Sequence, residues 1–420
     1  MTGLILAATG SGSGKTTVTL GVLRALARRR QAIRSAKSGP DYIDPRFHES
    51  ASGQPCLNLD AWAMSPDRIR DLAAGDAPLI IEGAMGLFDG APPSGKGATA
   101  DLARILGIPV VLILDVSSQS QSAASVLGGF ANHDPSVRIA GVILNKLGSS
   151  RHEKMVRNAL AASGIPVIGA IHRTASLHSP SRHLGLVQAS ERDDLEQFLN
   201  TAADLIQDAV DVDALLALAE PLPRPSGTQP ILPPPAQSIA IASDAAFAFA
   251  YPHLLQAWRK AGASLSFFSP LNDEAPDPAD LVILPGGYPE LYADQLAQAE
   301  KFKSGVRSAN AVYGECGGYM VMGDGLTDKD GTRHEMLGLL RLETSFAQRK
   351  LQLGYRRLTP LGGPWDMPLM GHEFHYATTF SAKGDPMFRA SDAAGETLSD
   401  MGLRNGPHCG SFAHVIDRAS

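Results

Sequence analysis

The chain has 420 residues, 44% hydrophobic and 19% charged, with a formal net charge of −6. That is enough for two or three domains with buried cores, and the mild acidity argues against a nucleic-acid partner or an anionic membrane surface. Three scattered cysteines, Cys56, Cys316 and Cys409, form no C-x-x-C pair and fit a reducing cytoplasm better than a disulfide framework.

The opening MTGLILAATG lacks a basic leader and runs straight into glycines, so it reads as a buried strand and not a signal peptide. No run reaches the ~18 apolar residues of a membrane span, and a cytoplasmic location is expected. GLILAAT (3–9), AIRSAK (32–37), PLIIEG (78–83), PVVLILDV (109–116), IAGVILN (139–145) and PVIGAI (166–171) follow as strand candidates. Their nearly continuous apolar character suits a parallel sheet covered on both faces. Between the first two, TVTLGVLRALARRR sets Val18, Val22 and Leu26 on one helical face. The repetition predicts an α/β fold with a doubly wound parallel sheet. PLPRPSGTQPILPPPAQ (221–237) then carries seven prolines, too many for a central strand or a helix. It reads as a linker between a domain at 1–220 and another at 238–420. The second segment repeats the βα pattern through SIAIASD, YPHLLQAWRKAG, SLSFFSP, DLVILPGG and AVYGECGG; beyond about residue 340 the pattern is mixed.

Two motifs carry chemistry. In ATGSGSGKTT, Gly10, Gly12 and Gly14 let backbone N–H groups turn around phosphate, at the start of a helix that adds favourable partial charge. Lys15 is expected to reach the terminal phosphates of ATP, with Thr16 on Mg²⁺ and Thr17 completing the loop. Spacing departs from G-x4-G-K-[ST], with Ala8 where an opening glycine would sit, so the loop is a longer variant. Glu82, at a strand's carboxyl end, is the expected metal carboxylate. In KSGPDYIDP, Asp41 is expected to complete the metal shell, with Asp44 and Tyr42 facing substrate or phosphate transfer. The bland alternative is that an aspartate there caps a helix.

The second motif, YGECGGYM, has the form of a nucleophile elbow with Cys316 as nucleophile. Backbone N–H groups at Gly317 and in the Pro285-Gly286-Gly287 turn, Gly287 above all, are oxyanion-hole candidates. A thiol nucleophile needs a histidine, and spacing does not choose among His372, His375, His408 and His414. HEFH lacks the spacing of a zinc-protease motif. Cys56 and Cys409 default to packing.

GSGSGKTT, KSGPDYIDPRFH, IIEGAMGLFDG, LPGGYPE, YGECGGYM, GHEFHY and SFAHVID together resemble the cobyrinic or hydrogenobyrinic acid a,c-diamide synthases of the CobB/CbiA type, over about residues 3–416. The N-terminal half also resembles the dethiobiotin synthetase fold. The resemblance implies a C-terminal class I glutamine amidotransferase-like α/β domain, with His414 as partner of Cys316. In ordinary class I enzymes a glutamate follows the histidine by two positions. Here Ile416 stands there, so the third catalytic member is absent or comes from elsewhere. The resemblance further implies an N-terminal domain that binds MgATP and a corrinoid tetrapyrrole acid, phosphorylates two carboxylates in turn, and receives ammonia from L-glutamine. Arg46, His48, Arg151 and His152 are candidates to meet the corrinoid carboxylates. Cobyric acid synthase-like amidation of other side chains is the alternative within enzymes, and a P-loop ATPase switch with an inactive amidotransferase domain is the alternative outside it. The resemblance favours the cobalt-free ring, and a homodimer is left open.

Overall fold

A computed structural model describes residues 1–174, 189, 192–225, 227 and 231–419. The chain divides into two compact units, Met1–Gln229 and Pro230–Ser420. The division falls in the proline-rich segment, of which residues 226 and 228–230 lie outside the described residues.

The first unit runs β1 (Thr2–Ala8), α1 (Lys15–Arg28), β2 (Arg34–Ser38), α2 (Asp44–Ser52), β3 (Cys56–Leu59), α3 (Pro66–Ala73), β4 (Leu79–Glu82), α4 (Thr99–Leu106), β5 (Val110–Asp115), α5 (Ser122–His133), β6 (Ile139–Leu147), α6 (Ser150–Leu160), β7 (Val167–His172), α7 (Leu195–Ala209), α8 (Val212–Ala217) and β8 (Glu220–Pro221). Seven strands are parallel in the order β3-β2-β4-β1-β5-β6-β7, and β8 returns antiparallel against the start of β1. Leu4, Ile5, Leu6, Ile80, Ile81, Val111, Leu112 and Ile113 are wholly buried, as strands covered on both faces require. Connections from β1 and β5 leave to opposite sides, so the carboxyl ends of β4, β1 and β5 open a crevice, where α/β sheets take their ligands. On α1, Val18, Val22 and Leu26 are buried. Gly21 lets α7 come close: a Cβ there would lie 2.6 Å from the Ala202 carbonyl oxygen.

Strand β3 is absent from the expected strands, because CLNL is short and interrupted by an asparagine. Asn58 is buried, and its Nδ2 donates to Gly39 O at 2.9 Å and to Asp41 O at 2.7 Å. The polar residue that spoils the apolar run therefore fastens the acidic loop ahead of α2.

In the second unit come β9 (Ser238–Ala242), α9 (Pro252–Lys260), β10 (Ser264–Phe268), β11 (Leu281–Leu284), α10 (Ala293–Gln298), α11 (Glu300–Arg307), β12 (Val312–Glu315) and α12 (Gly317–Val321). Then follow β13 (Gly325–Thr327), β14 (Arg333–Glu335), β15 (Arg341–Ser345), β16 (Gln352–Pro360), β17 (Leu369–His375), β18 (Thr378–Lys383), β19 (Phe388–Ser391), β20 (Leu403–Asn405), β21 (His408–Ser411) and β22 (Ala413–Arg418). The main sheet has the order β10-β9-β11-β12-β21-β20, parallel except for β20. Two four-stranded sheets, β14-β13-β15-β18 and β19-β16-β17-β22, account for the region that sequence patterning left mixed. Strand β17 shows why: His372, Glu373 and His375 are all buried, so polar letters occupy inward positions and hide the alternation.

Candidate functional site

In the first unit, β1 delivers the chain into the glycine loop and α1 begins at Lys15. Gly12 and Gly14 have φ of 77° and 84°, a region costly for any residue with a side chain. At Gly14 space is a second reason, since a Cβ would lie 2.3 Å from Asn145 Nδ2. Ser13 Oγ donates to Gly10 O at 2.8 Å, Asn145 Nδ2 to Ser13 O at 2.8 Å and Lys146 Nζ to Gly12 O at 2.7 Å. The loop is thus held by Asn145, Lys146 and its own Ser13 hydroxyl, at the end of a helix whose first amides lack intrahelical acceptors. Thr17, Val18, Asn145, Lys146 and Arg173 line a cavity of about 730 Å³ beside it. Asn145 and Lys146 escaped the sequence reading; their signal is a polar pair at the end of the apolar strand β6.

Lys15 is buried, and its Nζ donates to Met85 O at 3.3 Å. Burial lowers its pKa, with Glu82 acting in the opposite sense. Thr16 Oγ1 donates to Glu82 Oε1 at 2.6 Å and lies 3.5 Å from Asp44 Oδ2. Lys37, on β2 and 3% exposed, bridges the same two carboxylates: its Nζ donates to Glu82 Oε1 at 2.8 Å and to Asp44 Oδ2. Behind Glu82, His48 Nε2 lies 2.7 Å from Oε2, and His48 Nδ1 lies 3.5 Å from Cys56 Sγ.

The charges here determine one another. Burial would neutralise Lys37, but Asp44, Glu82 and Asp41 hold its pKa well above the usual lysine value. Burial likewise opposes ionisation of Glu82, and Lys37, His48 and Lys15 outweigh it, keeping that carboxyl well below the usual range. Asp44 is pushed up to about 6 by burial, Asp41 and Glu82, against the pull of Lys37. His48 is raised to about 10, because Cys56 and Glu82 outweigh its burial.

Asp41 Oδ1 accepts the N–H groups of Ile43 at 2.8 Å and Asp44 at 3.0 Å, which anchors the turn into α2. Asp44, not Asp41, is the carboxylate against Thr16, because the intervening turn carries it inward. His48 cannot meet a corrinoid from solvent, since it is 0% exposed and committed to Glu82 and Cys56. His152 is also engaged locally, through Gln119 O at 2.6 Å and Gly148 N at 3.2 Å. Arg46 pairs with Glu49 at 2.8 Å, Arg151 is exposed, and Tyr42 is buried. Lys37 is the main residue that sequence reasoning missed, although a lysine inside a buried strand must have an anionic partner.

In the second unit, Cys316 sits between β12 and α12 with φ 47° and ψ −107°, a strained turn of the kind that presents a nucleophile. The flanking glycines are required by space. A Cβ on Gly314 would lie 2.6 Å from Met322 Sδ, and one on Gly318 would lie 1.9 Å from Leu284 O. Cys316 N donates to Ser411 O at 2.8 Å, and its Sγ lies 3.7 Å from Phe374 O. Burial, with Glu290, Glu373 and Glu315, pushes the thiol well up, against the Gly317 N–H. The amide turns at Gly287 and Gly317 abut: a Cβ on Gly317 would come 3.1 Å from Gly287 N.

Of the four histidines, His414 faces the Pro285-Gly286-Gly287 turn. A Cβ on Gly286 would fall 2.1 Å from its Cε1. It is 0% exposed, and burial, His372 and His375 push its pKa well down. His372 is its cross-strand neighbour on β17. His375 lies 2.9 Å from Glu373 Oε1 and stacks on Phe412 at 3.9 Å. His408, half-buried, opens β21. Cys409 is buried, and burial pushes its thiol up to about 12, in keeping with packing.

A phosphate loop beside the carboxylates of Glu82 and Asp44 on one unit, and a cysteine at a strained elbow on the other, define a class: ligases that draw nitrogen from glutamine and use a nucleotide to couple it. Residues 4–187 match the CobQ/CobB/MinD/ParA nucleotide binding domain, and residues 238–419 match the CobB/CobQ-like glutamine amidotransferase domain. The hydrogenobyrinate a,c-diamide synthase of Brucella anthropi is 54% identical over 99% of this chain and 99% of its own length. That of Rhizobium meliloti is 53% identical, again over 99% of each chain. The chain belongs to the hydrogenobyrinate a,c-diamide synthase family. Among the described residues, no helix is long and apolar enough to cross a membrane.

Proposed function

We propose that the chain amidates the a and c carboxylates of hydrogenobyrinic acid, with ATP to activate each acid and glutamine as nitrogen source. The observation that carries this reading is 54% identity with a synthase of that name across 99% of both chains, which spans both half-sites.

In the second unit, His414 takes the thiol proton as Cys316 Sγ attacks the glutamine carboxamide carbon. The developing oxyanion faces the N–H groups of Gly287 and Gly317. The tetrahedral adduct expels ammonia with the proton from His414, and water then cleaves the thioester to glutamate. In the first unit, the loop amides and Lys15 bind the phosphates, and the cavity lined by Thr17, Asn145 and Lys146 takes the nucleoside. The γ-phosphoryl group passes to a ring carboxylate and ADP leaves. Ammonia attacks the resulting acyl phosphate and inorganic phosphate departs. A carboxylate is a poor electrophile, and phosphorylation supplies its leaving group.

Magnesium suits this site. The Thr16 hydroxyl, Glu82 and Asp44 present hard oxygens within 3.5 Å of Thr16 Oγ1, the donor type that Mg²⁺ takes alongside substrate phosphates. Bound there, Mg²⁺ would neutralise phosphate charge. Lys37 bridges the two carboxylates and favours their ionised forms, and adds fixed positive charge on the transfer path.

The test incubates the protein with MgATP, glutamine and either hydrogenobyrinic or cobyrinic acid, and follows products by mass spectrometry. Two successive amidations of the cobalt-free ring are expected. Cys316→Ala should abolish them with glutamine, and ammonium should restore them. Preference for the cobalt ring, or no amidation of either ring by a protein that still hydrolyses glutamine, refutes the substrate assignment.

A further inference from the structure

The position two residues after His414, where ordinary class I enzymes carry a glutamate, holds Ile416, which is wholly buried. An imidazole acting as base needs a partner that fixes its orientation. Among the described residues, a carboxylate from a different element is aimed at His414. Glu315, the residue before the nucleophile, places Oε2 3.8 Å from His414 Nδ1. Its other oxygen is fixed: Oε1 accepts the Tyr313 hydroxyl at 2.8 Å and the Val415 N–H at 3.1 Å. The carboxylate is therefore fastened to the backbone of the strand that carries His414, one residue further on. The separation exceeds a hydrogen bond, and catalytic contacts often tighten only when substrate is bound.

We propose that Glu315 is the positioning residue for His414, standing in for the missing third member by reaching from the nucleophile's own strand. The inference rests on the reading of Cys316 and His414 as the glutamine-hydrolysing pair. Because the acid lies on β12 and the base on β22, the elbow positions its own base. One strand end supplies both the nucleophile and the group that aims the imidazole at it.

The surroundings support this. Glu315 is 13% exposed, and burial raises its carboxyl to about 7, against Val415 N–H and the Tyr313 hydroxyl. Tyr313 faces it from β12, Cys316 from the elbow that follows, and His414 from β22. His414 in turn faces His372 and His375 of β17. Glu290 and Glu373 act on Cys316, and Arg356 holds Glu373 at 2.7 Å. Glu315 is the acid of this group placed against the Nδ1 side of His414.

Glu315→Gln keeps an acceptor oxygen for Val415 and Tyr313 but removes the charge and puts an N–H donor in place of the oxygen facing His414, and Glu315→Asp keeps the charge but withdraws it by one methylene. Glutamine hydrolysis is measured from pH 5.5 to 9, with thermal unfolding as the fold control. Glu315→Gln is expected to lose about 100-fold in kcat, with KM for glutamine changed less than about threefold. In the parent, kcat falls as pH drops through about 7, where Glu315 takes a proton. This limb disappears in Glu315→Gln and persists, at lower kcat, in Glu315→Asp. A Glu315→Gln protein within about threefold of the parent, or one with reduced kcat but an unchanged acid limb, overturns the proposal. Should Glu315→Gln not fold, the parent and Glu315→Asp profiles decide, and absence of the limb in both overturns it. Cys316→Ala separates the two readings: glutaminase activity that survives in it defeats the Cys316–His414 assignment itself.

Discussion

Lys37→Met tests the buried charge cluster most directly. Methionine fills much of the same volume but leaves Glu82, at 0% exposure, and Asp44 facing each other without the ammonium that lies 2.8 Å from Glu82 Oε1. Removing one partner of a buried pair costs about 3–5 kcal/mol, because the remaining charge is uncompensated. His48 still holds Glu82 Oε2 at 2.7 Å, so the lower end is expected, about 3 kcal/mol. For a domain of this size that lowers the unfolding midpoint by roughly 6–12 °C. Differential scanning calorimetry of the full chain resolves it as a shift of one transition, with the second unit's transition unmoved. Magnesium should raise the variant's midpoint more than the parent's, because the carboxylates then lack their internal cation. Ammonium-driven amidation should fall by at least about 100-fold, as fixed positive charge is lost from the phosphoryl-transfer path. An unshifted midpoint together with amidation within threefold of the parent would refute the assignment of Lys37 as the ion that holds this site together.

Gly286→Ala places a methyl group 2.1 Å from His414 Cε1, so the imidazole must move; glutaminase kcat should drop by about 100-fold, and an unchanged rate would show that His414 does not depend on this turn. Gly14→Ala combines a φ of 84° with a 2.3 Å clash against Asn145 Nδ2. It should weaken ATP binding at least about tenfold by titration calorimetry, and unaltered affinity would mean that the loop does not hold the phosphates. Both glycines can be assayed on the full chain, one through each half-reaction.

Much of the site could be read in the letters because its chemistry is local. A glycine loop ending in Lys15-Thr16, and an elbow around Cys316, each need a few consecutive residues in a prescribed order, so they survive as motifs whatever the rest of the chain does. Six of the seven parallel strands of the first unit are equally legible, most of them because burial on both faces makes continuous apolar runs; the short β3 is not. What motif reading missed are the residues whose role is to be buried with a charge. Lys37 and His48 acquire meaning only when β2 and α2 bring them to Glu82. Asp41 and Asp44, three residues apart, are set differently by one turn: Asp41 caps it and Asp44 lies against Thr16.

Sequence alone determined which reactive groups exist: the thiol at an elbow, the lysine and threonine at a helix start, and the carboxylate at a strand end. Tertiary structure alone decided what surrounds them. It set His414, among four histidines, against Gly286, and it laid Glu315 of β12 beside a strand about 100 residues further along the chain. The physical reason is the range of the interactions. Backbone turns and helix starts are set by adjacent residues, whereas the pairing of buried charges depends on strand order, which no short stretch of the chain encodes.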